Sequence, residues 1–463
     1  MSNPKIGLLP LYLELYDRVL PQMRHRIEKF YNAIASELED RGLDVLTTTI
    51  CRLRSEVEGA VKSFEDADAD GIVTLHLAYS PSLESAPVAA QSRLPLLVLD
   101  TTPTHSYGPD QDPEELLYNH GIHGVQDFCN LLIREGKRFN IVAGHWVESR
   151  VLDEVATWAR AAQLASNIRH ARVGLIGRQF VGMADFQVPF SVLKSTIGME
   201  VIEADMSELR SLVPAEDEPA VEAEMVSDLA QFQTPALDIP AHRTTTRACL
   251  AVRRWMEQEK LTAFTMNFED IHRDTGIPTV PFLEASKAMA RGQGYAGEGD
   301  VLTAAFVGAL APVFADTTFT EMFCPDWADN TILLSHMGEL NPNLTDGKPL
   351  LVKKSMPWVN ADPPMVAVGR FKGGEATFAN LAPAPGDGYK LIIAPVMVLE
   401  VNGEDRMLDS VRGWFRPALS VEDFLAEYSM LGGTHHAALV YGDVAEELSC
   451  LGNIMGWDTA ILE

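Results

Sequence analysis

Apolar residues in the first 170 positions follow two alternating patterns. Ile6–Leu9, Val45–Thr47, Gly71–Leu75, Leu94–Leu99 and Asn140–Ala143 are short apolar runs that read as strands. Between them, Val19–Leu38, Val57–Phe64 and Gly124–Glu135 space apolar residues among charged ones at the helical period. Pro95 falls near the start of its strand, where a missing N–H is tolerated. Short apolar strands alternating with helices predict a parallel sheet covered on both faces.

The alternation continues beyond that point. Ser149–Ala165 reads as a long helix, and Val173–Gly177 opens a new strand, so a domain boundary is placed just before Val173. The acidic stretch 207–233 reads as a solvated helix or loop. A helix at Ala248–Glu257, a strand at Ala263–Met266 and a helix at Pro281–Ala290 follow. After about Ala315 the texture changes to short β-type runs at Ile332–Leu334, Leu350–Val352, Met365–Val368, Ala376–Ala379, Leu391–Ala394 and Val396–Leu399. Turn residues separate most of them, which predicts an antiparallel barrel or sandwich. One helix, Val421–Met430, interrupts it behind Ser420 as N-cap.

Composition narrows the function classes. The chain has 463 residues, enough for two to four domains, with 46% hydrophobic and 22% charged positions. A formal charge of −28 argues against nucleic acid or an anionic membrane as partner. No apolar run is long enough to span a bilayer. The opening Met1–Lys5 leads directly into a strand, without the basic and apolar regions of a secretory signal. Cys51, Cys129, Cys249, Cys324 and Cys450 are scattered and odd in number, as expected of free thiols in a reducing, cytoplasmic setting.

Four places carry candidate chemistry. Glu298 and Asp300 sit among glycines in Gly294–Asp300, just before an apolar helix-like run from Val301. Glu321 lies between Phe319 and Met322-Phe323, His336 follows Ile332–Ser335, and His435-His436 follow Gly432-Gly433-Thr434. Carboxylates and imidazoles without thiolate suit Mn²⁺, Mg²⁺ or Co²⁺ better than structural zinc. Each has an ordinary alternative. Glu298 and Asp300 are good residues for a helix N-terminus, a lone histidine is commonly a hydrogen-bonded core residue, and paired histidines can decorate a turn. Spacing does not decide between these readings. The Gly292, Gly294, Gly297 pattern follows a helix rather than a strand, so it is not a dinucleotide fingerprint. Neither a P-loop nor a Gly-x-Ser-x-Gly elbow occurs.

In order and approximate spacing, Phe268-Glu269-Asp270, Gly297–Asp300, Glu321, Ser335-His336-Met337 and Gly432–His436 resemble the L-arabinose isomerase family. His76 with Ser80-Pro81, His123-Gly124 and Gly144-His145-Trp146 resemble it as well, so the likeness covers nearly the whole chain. The resemblance implies an α/β chain with an N-terminal Rossmann-like domain (1–171), a central α/β domain (172–316) and a C-terminal antiparallel β-barrel domain (317–463). It implies a Mn²⁺-dependent aldose–ketose isomerase acting on a carbohydrate, and a homo-oligomer. It also implies that Glu298, Glu321, His336 and His436 hold the metal, that Glu298 and Glu321 move protons, and that Tyr12, Phe268, Asp300, Met337 and His435 meet the sugar.

Two positions depart from the family pattern. Its first strand carries Gly-Ser-Gln-x-Leu-Tyr-Gly, with the glutamine facing the sugar. This chain reads Gly7-Leu8-Leu9-Pro10-Leu11-Tyr12-Leu13, and Gln126 stands where the family has a basic residue. A retained metal set beside an altered sugar set points to a substrate other than L-arabinose, or to arabinose as a poor one. An epimerase or lyase using the same ene-diolate, and a sugar-binding relative without turnover, are the alternatives.

Overall fold

In the computed structural model, which describes residues 3–357, 359–401 and 403–463, the first sheet joins five parallel strands. They are β1 (Lys5–Leu11), β2 (Asp44–Leu46), β3 (Gly71–His76), β4 (Leu96–Asp100) and β5 (Asn140–Ala143), in the order β2-β1-β3-β4-β5. β1 and β3 are buried almost throughout, as strands covered on both faces must be. The predicted helix Val19–Leu38 is broken. Helix Glu14–Val19 ends before Pro21, which opens a 3₁₀ turn, and Arg24–Glu39 forms a separate helix. Proline has no N–H to continue a helical ladder, which accounts for the break. Arg24–Glu39 buries Ile27, Phe30, Tyr31, Ile34 and Leu38, a single stripe at helical spacing.

By its internal packing the chain forms two compact units. One comprises 2–166 with 453–456, and the other comprises most of 167–463. The division falls in the last turn of the helix Val151–Arg169, which runs four residues past its predicted end.

The second unit contains a four-stranded parallel sheet and a barrel. β6 (Arg172–Ile176), β7 (Glu200–Glu203), β8 (Ala263–Met266) and β9 (Gly294–Ala296) pair in the order β7-β6-β8-β9. The acidic stretch forms helices Met206–Ser211 and Pro219–Gln231. The predicted helix at Ala248 begins nine residues earlier, at Ile239. Asp238 caps it by accepting from the Ala241 N–H, and Pro240 lies in its first turn. Three consecutive threonines, weak helix formers, hide that first half in the sequence.

The barrel comes last. Its strands are β10 (Thr317–Asp326), β11 (Thr331–Ser335), β14 (Gly374–Ala384), β15 (Gly388–Val398), β16 (Gly413–Pro417) and β17 (His436–Tyr441), with β12 (Leu350–Lys353) and β13 (Met365–Val368) paired separately. The ring runs β14-β17-β10-β11-β16-β15 and closes by β15 pairing with β14. β18 (Asp458–Ile461) adds parallel to β15. The two predicted runs 391–394 and 396–399 thus belong to one strand, β15, which ends one residue short of Leu399. The barrel core stacks Phe378 on Phe415 and Phe424 on Tyr428. Ser420 caps the helix Val421–Met430, accepting from the Asp423 N–H. All five cysteines are free, and Cys324 is exposed. Among the described residues no helix is long and apolar enough to cross a membrane.

Candidate metal centre

Register places three of the site residues side by side. Glu321 on β10 lies directly opposite His436 of β17 and opposite Ser335 of β11, and His336 is the next residue after Ser335. Residues opposite one another on neighbouring strands are close enough to interact. The fourth side chain, Glu298, comes from the turn between β9 and the helix Val301–Leu310.

That turn is held under strain. Glu298 has φ 53°, a left-handed conformation that costs a non-glycine residue roughly 1–2 kcal/mol. Its carbonyl accepts from the Phe180 N–H at 2.9 Å, and the Gly299 N–H donates to Thr265 Oγ1 at 3.1 Å. Thr265 in turn donates to the Ala296 carbonyl at 2.8 Å. These bonds fix a conformation that would not persist alone. Gly297 favours this closeness, because a Cβ there would sit 3.1 Å from His336 Cε1 and press on the ring.

The donor atoms converge. His436 Nε2 lies 3.0 Å from Glu298 Oε2 and 2.9 Å from Glu321 Oε1. His336 Nε2 lies 3.6 Å and 3.4 Å from the same two oxygens. One ligand atom from each of the four residues falls within 4.8 Å of all the others. Both histidines are buried, and Glu321 is the most open of the four at 13% exposure.

A second ring of carboxylates turns both imidazoles the same way. His336 Nδ1 faces Glu339 Oε2 at 2.7 Å, and Glu339 Oε1 accepts from the Tyr295 hydroxyl at 2.9 Å. His436 Nδ1 faces Asp300 Oδ2 at 3.0 Å. A carboxylate on Nδ1 leaves Nε2 with its lone pair toward the centre, as a metal ligand requires. Phe319 sets its edge against both rings, and Phe186 stacks on His436 at 5.2 Å.

Electrostatics follow from this crowding. Burial works against charge on both glutamates, but hydrogen bonds from His336 and His436 outweigh it. They hold Glu321 down at about 2 and Glu298 lower still. Burial alone would lower the two histidines; the surrounding carboxyl groups raise both well above the ordinary imidazole value. Four carboxyl groups around two imidazoles carry an excess of negative charge that a divalent cation would balance. The donor set, its convergence and the fixed ring orientations fit such an ion.

Of the other predicted site residues, Asp300, His435 and Met337 adjoin the cluster's residues. Asp300 is fully buried, and both oxygens are engaged, by the Thr303 N–H at 2.9 Å and by His436. It caps a helix and faces a histidine of the cluster. His435 is half-buried, with Nε2 3.9 Å from Glu321 Oε1 and Nδ1 2.6 Å from Asp185 Oδ2. Burial opposes charge on Asp185, but the bonds from His435 bring its carboxyl down to about 2. Phe268, half-buried after β8, lies 5.9 Å from Phe180, and Met337 is partly buried beside His336. Tyr12 is buried in the first unit near Tyr16. Leu9 packs in that unit's core with Val57, Phe64 and Val98.

Sequence reasoning did not single out Glu339, Tyr295, Phe319, Asp185 or Phe186. Glu339 had a usable signal, since it lies three residues after His336 beyond a glycine. Asp185 had none, because 250 residues separate it from His435.

Comparison with known proteins agrees along the chain. The models for the N-terminal, central and C-terminal domains of L-arabinose isomerase match residues 14–170, 194–315 and 316–458. An L-arabinose isomerase of Shouchella clausii is 26% identical, covering 99% of this chain and 93% of its own length. L-arabinose isomerase 1 of Bacillus licheniformis is 25% identical, covering 88% and 84%. An arabinose-transport periplasmic binding protein from Shewanella sp. ANA-3 shares 12% identity over 67% of this chain and 84% of its own, at a TM-score of 0.16 that supports no argument. The class is therefore the sugar isomerases, which are intramolecular oxidoreductases interconverting aldose and ketose. Within it, the chain belongs to the L-arabinose isomerase family.

Proposed function

We propose that this chain is a Mn²⁺-dependent aldose–ketose isomerase whose preferred sugar is not L-arabinose. The observation that supports it most is the convergence of Glu298, Glu321, His336 and His436 with both Nδ1 atoms tied to carboxylates. His336 and His436 would hold the ion through Nε2, and Glu298 and Glu321 through one oxygen each. A divalent cation bound there polarises the sugar's carbonyl and neighbouring hydroxyl oxygens.

Glu298 and Glu321 carry the proton transfers. Shifting a carbonyl between C1 and C2 removes a proton from one carbon and returns one to its neighbour. Both start ionised: one takes the proton from carbon and, as the acid so formed, returns it to the neighbouring carbon, while the other moves the hydroxyl proton from one oxygen to the next. Phe186 and Phe319 keep water from the histidine side of the pair. His435 is assigned to a sugar hydroxyl, Phe268 and Met337 to apolar contact, and Tyr12 to the sugar by family resemblance. Family resemblance also supports a homo-oligomer, which light scattering would measure.

The altered substrate rests on the first strand. Leu9 offers no hydrogen bond where the family has glutamine, and Gln126 offers no charge where it has a base. The match to the family's N-terminal domain begins at residue 14, after that strand.

The test is turnover of an aldose panel by chelated protein, with and without Mn²⁺, Mg²⁺ or Co²⁺, alongside Glu298→Gln. Metal-dependent ketose formation that is lost in the variant is expected. Metal-independent turnover, or full activity in Glu298→Gln, overturns the reading. An epimer or a cleaved product by NMR replaces it with an epimerase or lyase, and binding without turnover with a sugar-binding protein.

A further inference from the structure

We propose that Asp185 is a positioning residue for the reaction: from the loop 177–189 it fixes the His435 ring so that Nε2, not Nδ1, is presented beside Glu321. The proposal deepens the isomerase reading and rests on it for the nature of the substrate, a polyhydroxylated sugar.

The attachment is double. Asp185 Oδ2 accepts from the His435 backbone N–H at 3.1 Å and lies 2.6 Å from its Nδ1. Two contacts to one residue fix the backbone and the ring together. An ionised carboxylate can only accept, so Nδ1 donates to Asp185 and Nε2 is the nitrogen left facing the cluster. That nitrogen is 3.9 Å from Glu321 Oε1, beyond a direct hydrogen bond. It therefore retains capacity for another partner, and a sugar hydroxyl beside the metal cluster is chemically suited to it.

The loop carrying Asp185 is itself fixed to the cluster. Phe180 donates its N–H to the carbonyl of Glu298, and Gln187 Nε2 donates to the Phe180 carbonyl at 2.8 Å. Phe186, 1% exposed, stacks on His436 with an interplanar angle of 11°. One loop thus holds the strained ligand Glu298, covers the ligand His436 and orients the accessible His435. Neighbouring histidines are given separate tasks: His436 turns inward to both glutamates, and His435 stays 36% exposed.

The experiment compares Asp185→Asn and Asp185→Glu with the parent, using the best aldose of the panel. An asparagine can turn its NH₂ toward Nδ1 and release the ring. In Asp185→Asn, kcat/KM is expected to fall roughly 10–100-fold, the range found when an orienting partner is lost, while Mn²⁺ affinity by EPR stays unchanged. Asp185→Glu recovers part of the loss. Unaltered kcat/KM in Asp185→Asn, or a parallel fall in Mn²⁺ affinity, overturns the proposal. The ring ¹⁵N shifts of His435 in metal-free protein, assigned with His435→Gln, supply a second readout. Protonated Nδ1 in the parent and a changed tautomer in Asp185→Asn are expected, and an identical tautomer in both refutes the assignment. If the parent turns over no aldose, the isomerase reading fails while the ring measurement still decides the role of Asp185.

Discussion

Single side chains in this centre carry two roles, and substitutions can separate them. Asp300 caps the helix Val301–Leu310 and also faces His436 Nδ1. Asp300→Ser keeps a good cap but is too short to reach the imidazole, so it should be more stable than Asp300→Ala by about 1 kcal/mol. Its Mn²⁺ affinity should fall roughly 10–100-fold by EPR titration. Asp300→Ala should lose both. The Gly-rich turn suggested two capping carboxylates in the sequence. Only Asp300 caps; Glu298, with its left-handed backbone, is turned to the cluster. Asp300, directly before Val301, is the better cap candidate in the sequence as well, but the φ angle that turns Glu298 to the cluster is set by bonds to Thr265 and Phe180 and is not legible there.

The histidines give a pH prediction at the same scale. Without metal, both are raised by the carboxyl groups around them, so they hold protons that a cation must displace. The stability that these pairs confer on metal-free protein is present below the unfolded imidazole value, about 6.5, and is lost as pH rises through their raised folded values. Metal affinity runs the opposite way. The gain in Tm on adding Mn²⁺ should therefore grow from about pH 6 to about pH 9, measured by differential scanning fluorimetry. A gain that shrinks over that range would contradict the assignment.

At the scale of elements, legibility followed burial. Strands that are unbroken apolar runs, such as β3, could be read directly. β9 is only three residues long, and β10 ends in Cys324-Pro325-Asp326, so neither presented a strand pattern although each positions a glutamate. The helix Phe282–Ala290 shows another limit. Its charged residues Glu284 and Lys287 are 0% and 5% exposed, which the helix pattern in the sequence did not indicate. Arg253 bridges Glu284 and Glu224 at 2.8 and 2.7 Å, and Lys287 pairs with Glu224 at 2.8 Å and with Asp228. Removing one partner leaves a buried charge uncompensated, so Lys287→Met should cost roughly 3–5 kcal/mol by urea unfolding. Burial pushes Glu224 up, but Arg253 and Lys287 bring it to about 2. Its contribution is present above the unfolded value, about 4.5, and fades as pH falls toward about 2.

At the scale of the whole molecule, the cluster's sequence order mattered more than any spacing. Its four ligands span residues 298 to 436, and they meet only because a parallel-sheet turn delivers Glu298 to three adjacent barrel strands. No local rule encodes that closure, which is why the residues alone left capping and core explanations open and family order was needed. The same topology would make a bound metal a tie between two sub-structures of one unit. An ion that binds only the folded cluster stabilises it by mass action, about 2.7 kcal/mol at one hundred times its Kd. All four ligands lie in the second unit, and none lies in 2–166. Chelation should therefore lower the unfolding temperature of the second unit and hasten its proteolysis. Isolated 2–166, if it folds alone, should be indifferent to Mn²⁺. Hydrogen exchange would resolve the two: slower exchange in β9, β10, β11 and β17 on adding Mn²⁺, with β1–β5 unchanged. Equal protection of both units would mean that the ion binds elsewhere.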